Sequence, residues 1–172
     1  MIVRRERPAD IAAIRRVHEA AFPSPTEADI VDALRSAGRL TISLVAEERG
    51  TVIGHIAFSP MRFEGAPDLA GALGLAPVAV HPQFQGKGTG ASLIREGLAA
   101  CREVGCTCVV VLGEPAYYRR FGFLPAWRWG LDNEYEAGDA FMAMELQSGA
   151  IPENPGLARY APEFNVFQSD QD

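Results

Sequence analysis

The stretch Val80-His81-Pro82-Gln83-Phe84-Gln85-Gly86-Lys87-Gly88-Thr89-Gly90 decides how this 172-residue chain is read. Three glycines at alternate positions stand just before a run with helical spacing, from about Gly88 to Val104, in which Leu93, Ile94, Gly97, Leu98 and Cys101 share one side. Main-chain N–H groups in such a turn are not covered by side chains. They converge on the positive end of a helix dipole, an arrangement suited to a phosphate or diphosphate. Each charge-assisted hydrogen bond of this kind contributes about 1.5–3 kcal/mol, so several together can hold an anionic cofactor. Lys87 and Arg95 bring positive charge to the same neighbourhood. The glycines alone leave a second reading open, a flexible connector with no ligand.

Outward from this turn the chain alternates strands and helices. Gly74 to Val80 is continuously apolar and reads as a strand buried on both faces. Thr107 to Leu112 is another, so strand, turn, helix and strand predict a right-handed crossover between parallel neighbours. Upstream, Leu40–Glu47 and Thr51–Pro60 flank Glu48-Arg49-Gly50 as a hairpin, which makes the sheet mixed. Ile2–Arg5 is a first short strand. Asp10 is expected to cap a helix reaching about Phe22 with Ile11, Ile14, Val17 and Ala21 on one face. Thr26 opens a second helix that turns Ile30, Val31 and Leu34 inward and ends near Gly38. Met61–Asp68 reads as a loop or strand extension and Pro115–Arg120 as a short helix. Phe121–Leu146 reads as two more strands around a polar turn at Asp132–Asp139. The expected organisation is one domain over residues 1–147 and a tail, 148–172, that packs on it through Ile151, Leu157, Tyr160, Phe164 and Phe167.

Bulk properties exclude several functions. A net charge of -6 argues against a general nucleic-acid binder, which needs a basic field. Met1–Pro8 has no apolar signal core, and Leu69–Val80 is too short to span a bilayer, so no membrane association and a cytoplasmic location are expected. Cys101, Cys106 and Cys108 lack the ligand pairs of a zinc site and read as small buried hydrophobes, so no metal is expected. A Walker A loop fails because Gly88 follows Lys87 and His81 stands where its first glycine belongs. The dinucleotide fingerprint comes closer, through Gly86, Gly88 and Ala91 with Glu114 after the next strand. Five residues separate its first glycine from the strand end at Val80, and too little chain follows for a second nucleotide-binding half.

Gln85 to Gly90 resembles the Gln/Arg-x-x-Gly-x-Gly/Ala acetyl-coenzyme A signature of the GNAT N-acetyltransferases, preceded by their hydrophobic-x-Pro step at Val80-His81-Pro82. Tyr118-Arg119-Arg120-Phe121-Gly122-Phe123 is similar to the family's tyrosine followed by Gly-Phe. The stretch from Val110 to Phe123, with Arg159-Tyr160 and Pro162-Glu163-Phe164 in the tail, resembles the YhbS-like branch. The resemblance covers essentially the whole chain. It implies an α/β (α+β) fold with a mixed, mostly antiparallel sheet of six to seven strands, helices on both faces, and a central parallel pair splayed at one end. It also implies that acetyl-CoA is the co-substrate. The pantetheine arm would pair with the main chain of Val78, Ala79 and Val80, and the amides of Gln85, Gly86, Lys87, Gly88, Thr89 and Gly90 would bind the diphosphate. An N–H near Val78 or Val80 would polarise the thioester.

Acetyl transfer to an amine needs a neutral nitrogen, an activated carbonyl and a proton for the leaving thiolate. Tyr118 is the candidate proton donor, since a phenol with pKa near 10 is protonated at neutral pH. Glu114 is either the general base or only a helix cap. Glu27 is a candidate contact for a cationic substrate, against the alternative of a solvated helix face. Trp127 and Trp129 either wall an acceptor pocket or pack on the sheet, and His81 reads as a structural turn residue. The expected activity is transfer of acetyl to a primary amine of a small molecule or polypeptide by direct attack in a ternary complex. A non-catalytic acyl-CoA sensor and a dinucleotide-binding domain are the alternatives. Homodimerisation is compatible with the fold, and no segment marks an interface. No motif identifies the acceptor or a preference for longer acyl groups.

Overall fold

The computed structural model describes residues 1–169. The last three residues of the expected tail, 170–172, lie outside the described residues. In chain order the elements are β1 (Ile2–Arg5), α1 (Ile11–Ala21), α2 (Thr26–Ser36), β2 (Ile42–Glu48), β3 (Thr51–Pro60), β4 (Arg62–Phe63), β5 (Ala72–Val80), α3 (Thr89–Glu103), β6 (Cys108–Leu112), α4 (Pro115–Tyr118), β7 (Leu124–Pro125), β8 (Leu131–Asn133), β9 (Phe141–Glu145), β10 (Gly156–Arg159) and α5 (Val166–Ser169). They form two compact units. One comprises Met1–Phe58, Pro77–Ala100 and the described residues from Glu163, and the other Ser59–Ala76 with Cys101–Pro162.

In the first unit the strand order is β1-β2-β3-β5. β1 and β3 both run antiparallel to β2, with Val45 opposite His55. Alternation then divides β3 between two layers. Val45, the partner of His55, packs with Ile14 of α1 and Val31 of α2. Gly54, Ile56 and Phe58 face α3 instead: a Cβ on Gly54 would stand 2.9 Å from Leu93, and one on Gly97 would stand 2.6 Å from Phe58. Two glycines thus let α3 lie close on the sheet, and helices cover both faces, as the sequence implied.

Asp10 does not cap α1. It closes a 3₁₀ turn at Pro8–Asp10, where its carboxylate accepts a hydrogen bond from the Arg7 N–H at 2.7 Å and pairs with Arg4. A strong cationic partner on β1 outcompetes the helix end for this carboxylate.

β3 and β5 are joined by two diagnostic bonds. His81 N–H donates to Ile53 O at 2.9 Å, and Met61 N–H donates to Ala72 O at 2.9 Å. Ile53 and Met61 are eight positions apart whereas Ala72 and His81 are nine apart, so β5 carries one extra residue, a β-bulge.

In the second unit the order is β5-β6-β9-β7. β5 and β6 are parallel from Ala72↔Cys108 to Leu75↔Val111, and β6 is antiparallel to β9. The sheet is therefore mixed, with seven strands and this one parallel pair, as expected. Phe121–Leu146 is more broken than the sequence implied: β7 has two residues, a 3₁₀ turn covers Ala126–Trp129, and β9 is the one longer strand. β8 leaves the main sheet to join β4 and β10 in a small three-stranded sheet, with β10 antiparallel to β4 and parallel to β8. Strands this short carry no readable alternation, and Leu131-Asp132-Asn133 has the composition of a turn.

Candidate functional site

The cradle belongs to the first unit. β5 leads through a single 3₁₀ turn, Pro82–Phe84, into Gln85, and α3 begins at Thr89. Gly86 (φ 73°) and Gly88 (φ 84°) occupy the left-handed region, where only glycine is unstrained. No atom lies within 4 Å of a Cβ built on either, so the space above the loop is open. The first intrahelical bond near this end is Ser92 N–H to Gly88 O at 3.0 Å, which leaves the amides of Thr89, Gly90 and Ala91 without the partner four residues back that helix interiors supply. The first turn of α3 carries no acidic residue to compete for these donors.

The side chains of the loop are occupied locally. Gln85 Nε2 donates to Val80 O at 2.9 Å, tying the loop to the strand end. Lys87 Nζ donates to Gln83 O at 3.3 Å and lies over the Phe84 ring. Thr89 is buried, its Cγ2 packed toward Gly54, so only its main chain is available to a ligand. His81 Nδ1 accepts from Gln83 N–H at 3.3 Å, a turn-stabilising contact that matches its structural reading. What the loop offers an anion is therefore its backbone.

Val78, Ala79 and Val80 end the same strand. The register with β6 stops at Leu75, and β5 runs five residues further, to Val80. Because His81 N–H points to β3, alternation turns the main-chain groups of Val78 and Val80 to the opposite edge of β5.

The second unit holds Glu114 and Tyr118. Glu114 is the N-cap of α4: its carboxylate accepts from Ala116 N–H across a long 3.5 Å contact, and its carbonyl accepts from Tyr117 and Tyr118 N–H at 3.1 Å. Of the two roles expected for Glu114, the geometry displays the cap. Tyr118 is 7% exposed, edge-on to Tyr117 and Phe123. A Cβ on Gly113 would overlap its ring, so the absence of a side chain there is what admits the tyrosine. Burial, with a smaller contribution from Tyr117, pushes the Tyr118 phenol up to about 12 and keeps it protonated across the physiological range.

Other candidates sort as follows. Glu27 is not on a solvated face: it lies on the stripe of α2 that continues through Ile30, Val31 and Leu34, and its Oε2 is shut off from solvent. Trp127 is 62% exposed, its Nε1 donating to Asp139 at 2.7 Å, while Trp129 packs against the core of the second unit. The three cysteines are buried thiols. Among the described residues no group of three His, Cys, Asp or Glu is placed to hold a metal ion, and no helix is long and apolar enough to cross a membrane.

Of two further features, sequence reasoning expected the first only as packing by the tail and missed the second. Tyr160, carried by the tail, packs over β5, where a Cβ on Gly74 would stand 2.9 Å from its ring. Burial raises its phenol well above the ordinary value. The second is a buried pair, His18 and His55, in hydrogen-bond contact at 2.8 Å. A lone histidine on an apolar helix stripe and another in an apolar strand were the only signals of that pair.

Comparison with known proteins agrees with this geometry. The acetyltransferase (GNAT) domain family matches residues 3–126. The uncharacterized N-acetyltransferase YhbS of Escherichia coli K12 is 39% identical over 169 residues, 97% of this chain and all of that one. A crystal structure of E. coli YhbS, a GNAT family N-acetyltransferase in complex with CoA, superposes with a TM-score of 0.89 at 38% identity, covering 95% of this chain and 91% of that one. A GNAT family acetyltransferase from Brucella melitensis, in complex with acetyl-CoA, gives 0.79 at 45% identity over 95% and 97%. The dinucleotide-binding alternative falls with these matches, and the chain belongs to the GNAT acetyltransferase family, in its YhbS-like branch.

Proposed function

We propose that the protein transfers the acetyl group of acetyl-CoA to a primary amine by direct attack in a ternary complex. The observation that carries this reading is the open cradle: two left-handed glycines and three helix-end amides with no side chain over them. Such donors favour a diphosphate through both hydrogen bonding and the helix dipole. The relatives crystallised with CoA and with acetyl-CoA support coenzyme A as the molecule that carries it.

In this reading the amides from Gln85 to Gly90 hold the diphosphate. The pantetheine arm extends along the outward edge of Val78–Val80, as an added strand would. A main-chain N–H at Val78 or Val80 donates to the thioester oxygen as it gains charge. The neutral amine nitrogen forms its bond to the carbonyl carbon and gives up its surplus proton to water, the carbon–sulfur bond breaks, the thiolate takes the Tyr118 proton, and the tyrosinate is reprotonated from solvent. Burial keeps the Tyr118 phenol protonated at neutral pH, the state from which a proton donor must start.

The test is thiol release from acetyl-CoA against a panel of primary amines, with mass spectrometry of the products. One or more amines gaining an acetyl group is the expected result. Saturable CoA binding with no transfer to any amine would support the non-catalytic sensor instead.

A further inference from the structure

The C-terminal end of α3, within the second unit, closes in a turn whose two anchoring residues are both cysteines. Gly105 adopts φ 78°, its N–H donates to Arg102 O at 3.1 Å, and Cys106 N–H donates to Cys101 O at 3.0 Å. This pair of bonds is the helix stop that satisfies the last carbonyls with a left-handed glycine. It folds the residue after the glycine back onto the last helical turn, where an apolar contact commonly forms. Here that contact joins two thiols. Standard covalent lengths on either side of the 3.0 Å bond keep the two Cα atoms within about 7 Å, close to the span that a disulfide bridges. The side chains meet as well, since the two thiols hydrogen-bond to each other.

The thiols are not equivalent. Hydrogen bonds from Cys101 first, and then from the main chain of Cys108 and Leu73, favour charge on the Cys106 sulfur and draw its thiol below the usual value against the cost of burial. The same hydrogen bond, with burial adding to it, pushes the Cys101 thiol up. Cys106 is therefore the nucleophile and Cys101 the protonated neighbour beside it. Burial pushes the Cys108 thiol up to about 11, so the third cysteine stays protonated.

Cys101 and Cys106 are 0% and 3% exposed, yet every residue between them, 102–105, is exposed. A Cβ on Gly105 would meet no atom within 4 Å. The pair thus lies directly beneath one turn at a helix end, and helix ends open locally at far lower cost than global unfolding.

We propose that Cys101 and Cys106 form an oxidation site that reacts with a hydroperoxide and closes into an intramolecular disulfide, stapling the end of α3 to the segment entering β6. The Cys106 thiolate attacks one peroxide oxygen and the O–O bond breaks. The other oxygen leaves as hydroxide, takes up the proton that Cys106 released and becomes water, while Cys106 becomes a sulfenic acid. The Cys101 sulfur then attacks the Cys106 sulfur, the S–O bond breaks, and a second water leaves with the Cys101 proton. The two sulfurs together lose the two electrons that the peroxide gains, and a dithiol reverses the bond by exchange. The site is separate from acetyl transfer and does not depend on it.

Hydrogen peroxide added to the reduced, folded protein tests the site. The intact mass should fall by about 2 Da and return with a dithiol. Trypsin cleaves after Arg102 and so separates Cys101 from Cys106. The two peptides should be found joined, with fragmentation placing the bond at Cys106. Cys108→Ala should keep the cross-link and Cys106→Ala should abolish it; the wild-type peptide map decides the matter if either variant folds poorly. Amide NMR of the oxidised protein should show shifts confined to the end of α3 and the start of β6, which distinguishes a native site from oxidation of unfolded chain. Thiols that stay free at a peroxide concentration that links them in urea would overturn the proposal. So would a bond to Cys108, sulfinic acid without a cross-link, or loss of the folded spectrum on closure.

Discussion

The cradle after β5 and the niche around Tyr118 solve opposite problems. The cradle is exposed, built from main chain, and its side chains are turned aside: Gln85 to Val80 O, Lys87 to Gln83 O, Thr89 into the core. The niche is closed and built from side chains, with Gly113 missing its Cβ so that one aromatic ring fits. An anion can be held by any residues whose backbone takes the right path, whereas a proton donor must be one particular group in one protonation state. Binding should therefore depend on φ angles and chemistry on side-chain identity.

The largest effect should come from the niche. Tyr118→Phe removes the hydroxyl proposed as proton donor and keeps the ring, so turnover should fall by about 10²–10⁴-fold while the Kd for CoA changes little. Undiminished turnover with chemistry rate-limiting would break the comparison on this side. In the cradle, Gly88→Val forces a β-branched residue to φ 84°, which costs on the order of 1–2 kcal/mol or more and should weaken CoA binding about tenfold or more, with kcat retained at saturation. Lys87→Ala should have the smallest effect on binding, under about threefold at moderate ionic strength, because its ammonium is engaged within the loop and screened by water. A Lys87 effect as large as that of Gly88 would mean that the loop acts through its charge after all.

A further prediction concerns the buried histidines. Folded His18 is pushed down to about 4 and His55 well below 6.5, both chiefly by burial, so the unfolded chain binds protons that the folded chain refuses. The stability they contribute is fully present above about pH 6.5 and is lost as pH falls from there through 4, at up to about 1.4 kcal/mol per pH unit for each group. Urea unfolding at pH 7.5, 6 and 5 measures this. A stability that stays level down to pH 5 contradicts the buried neutral pair.

What the sequence disclosed follows the same division. Alternate glycines before a helix announce a backbone path, so the cradle, the crossover and the β2–β3 hairpin were legible directly. The offset of Tyr118 from Gly122-Phe123 was legible only through family resemblance, and its burial depends on Gly113, whose importance appears once the ring is seen above it. The small β4–β10–β8 sheet was not legible, because strands of two to four residues carry no period. Nor was the His18–His55 chain. It is assembled by partners 37 positions apart, and a solitary histidine in an apolar stripe looks the same whether it is packed alone or linked to a second. Glu27 was weighed as a solvated residue because helix spacing alone does not say whether the next turn beyond Val31 is still covered.

The account stands or falls on the main chain between Gln85 and Gly90. Amide NMR of the uniformly labelled protein during CoA titration tests it most directly. The largest shifts should fall on Gly86, Gly88, Thr89 and Gly90, with a smaller group at Val78–Val80. Saturable binding that leaves those amides unmoved and perturbs another face, or no binding of CoA, would contradict it.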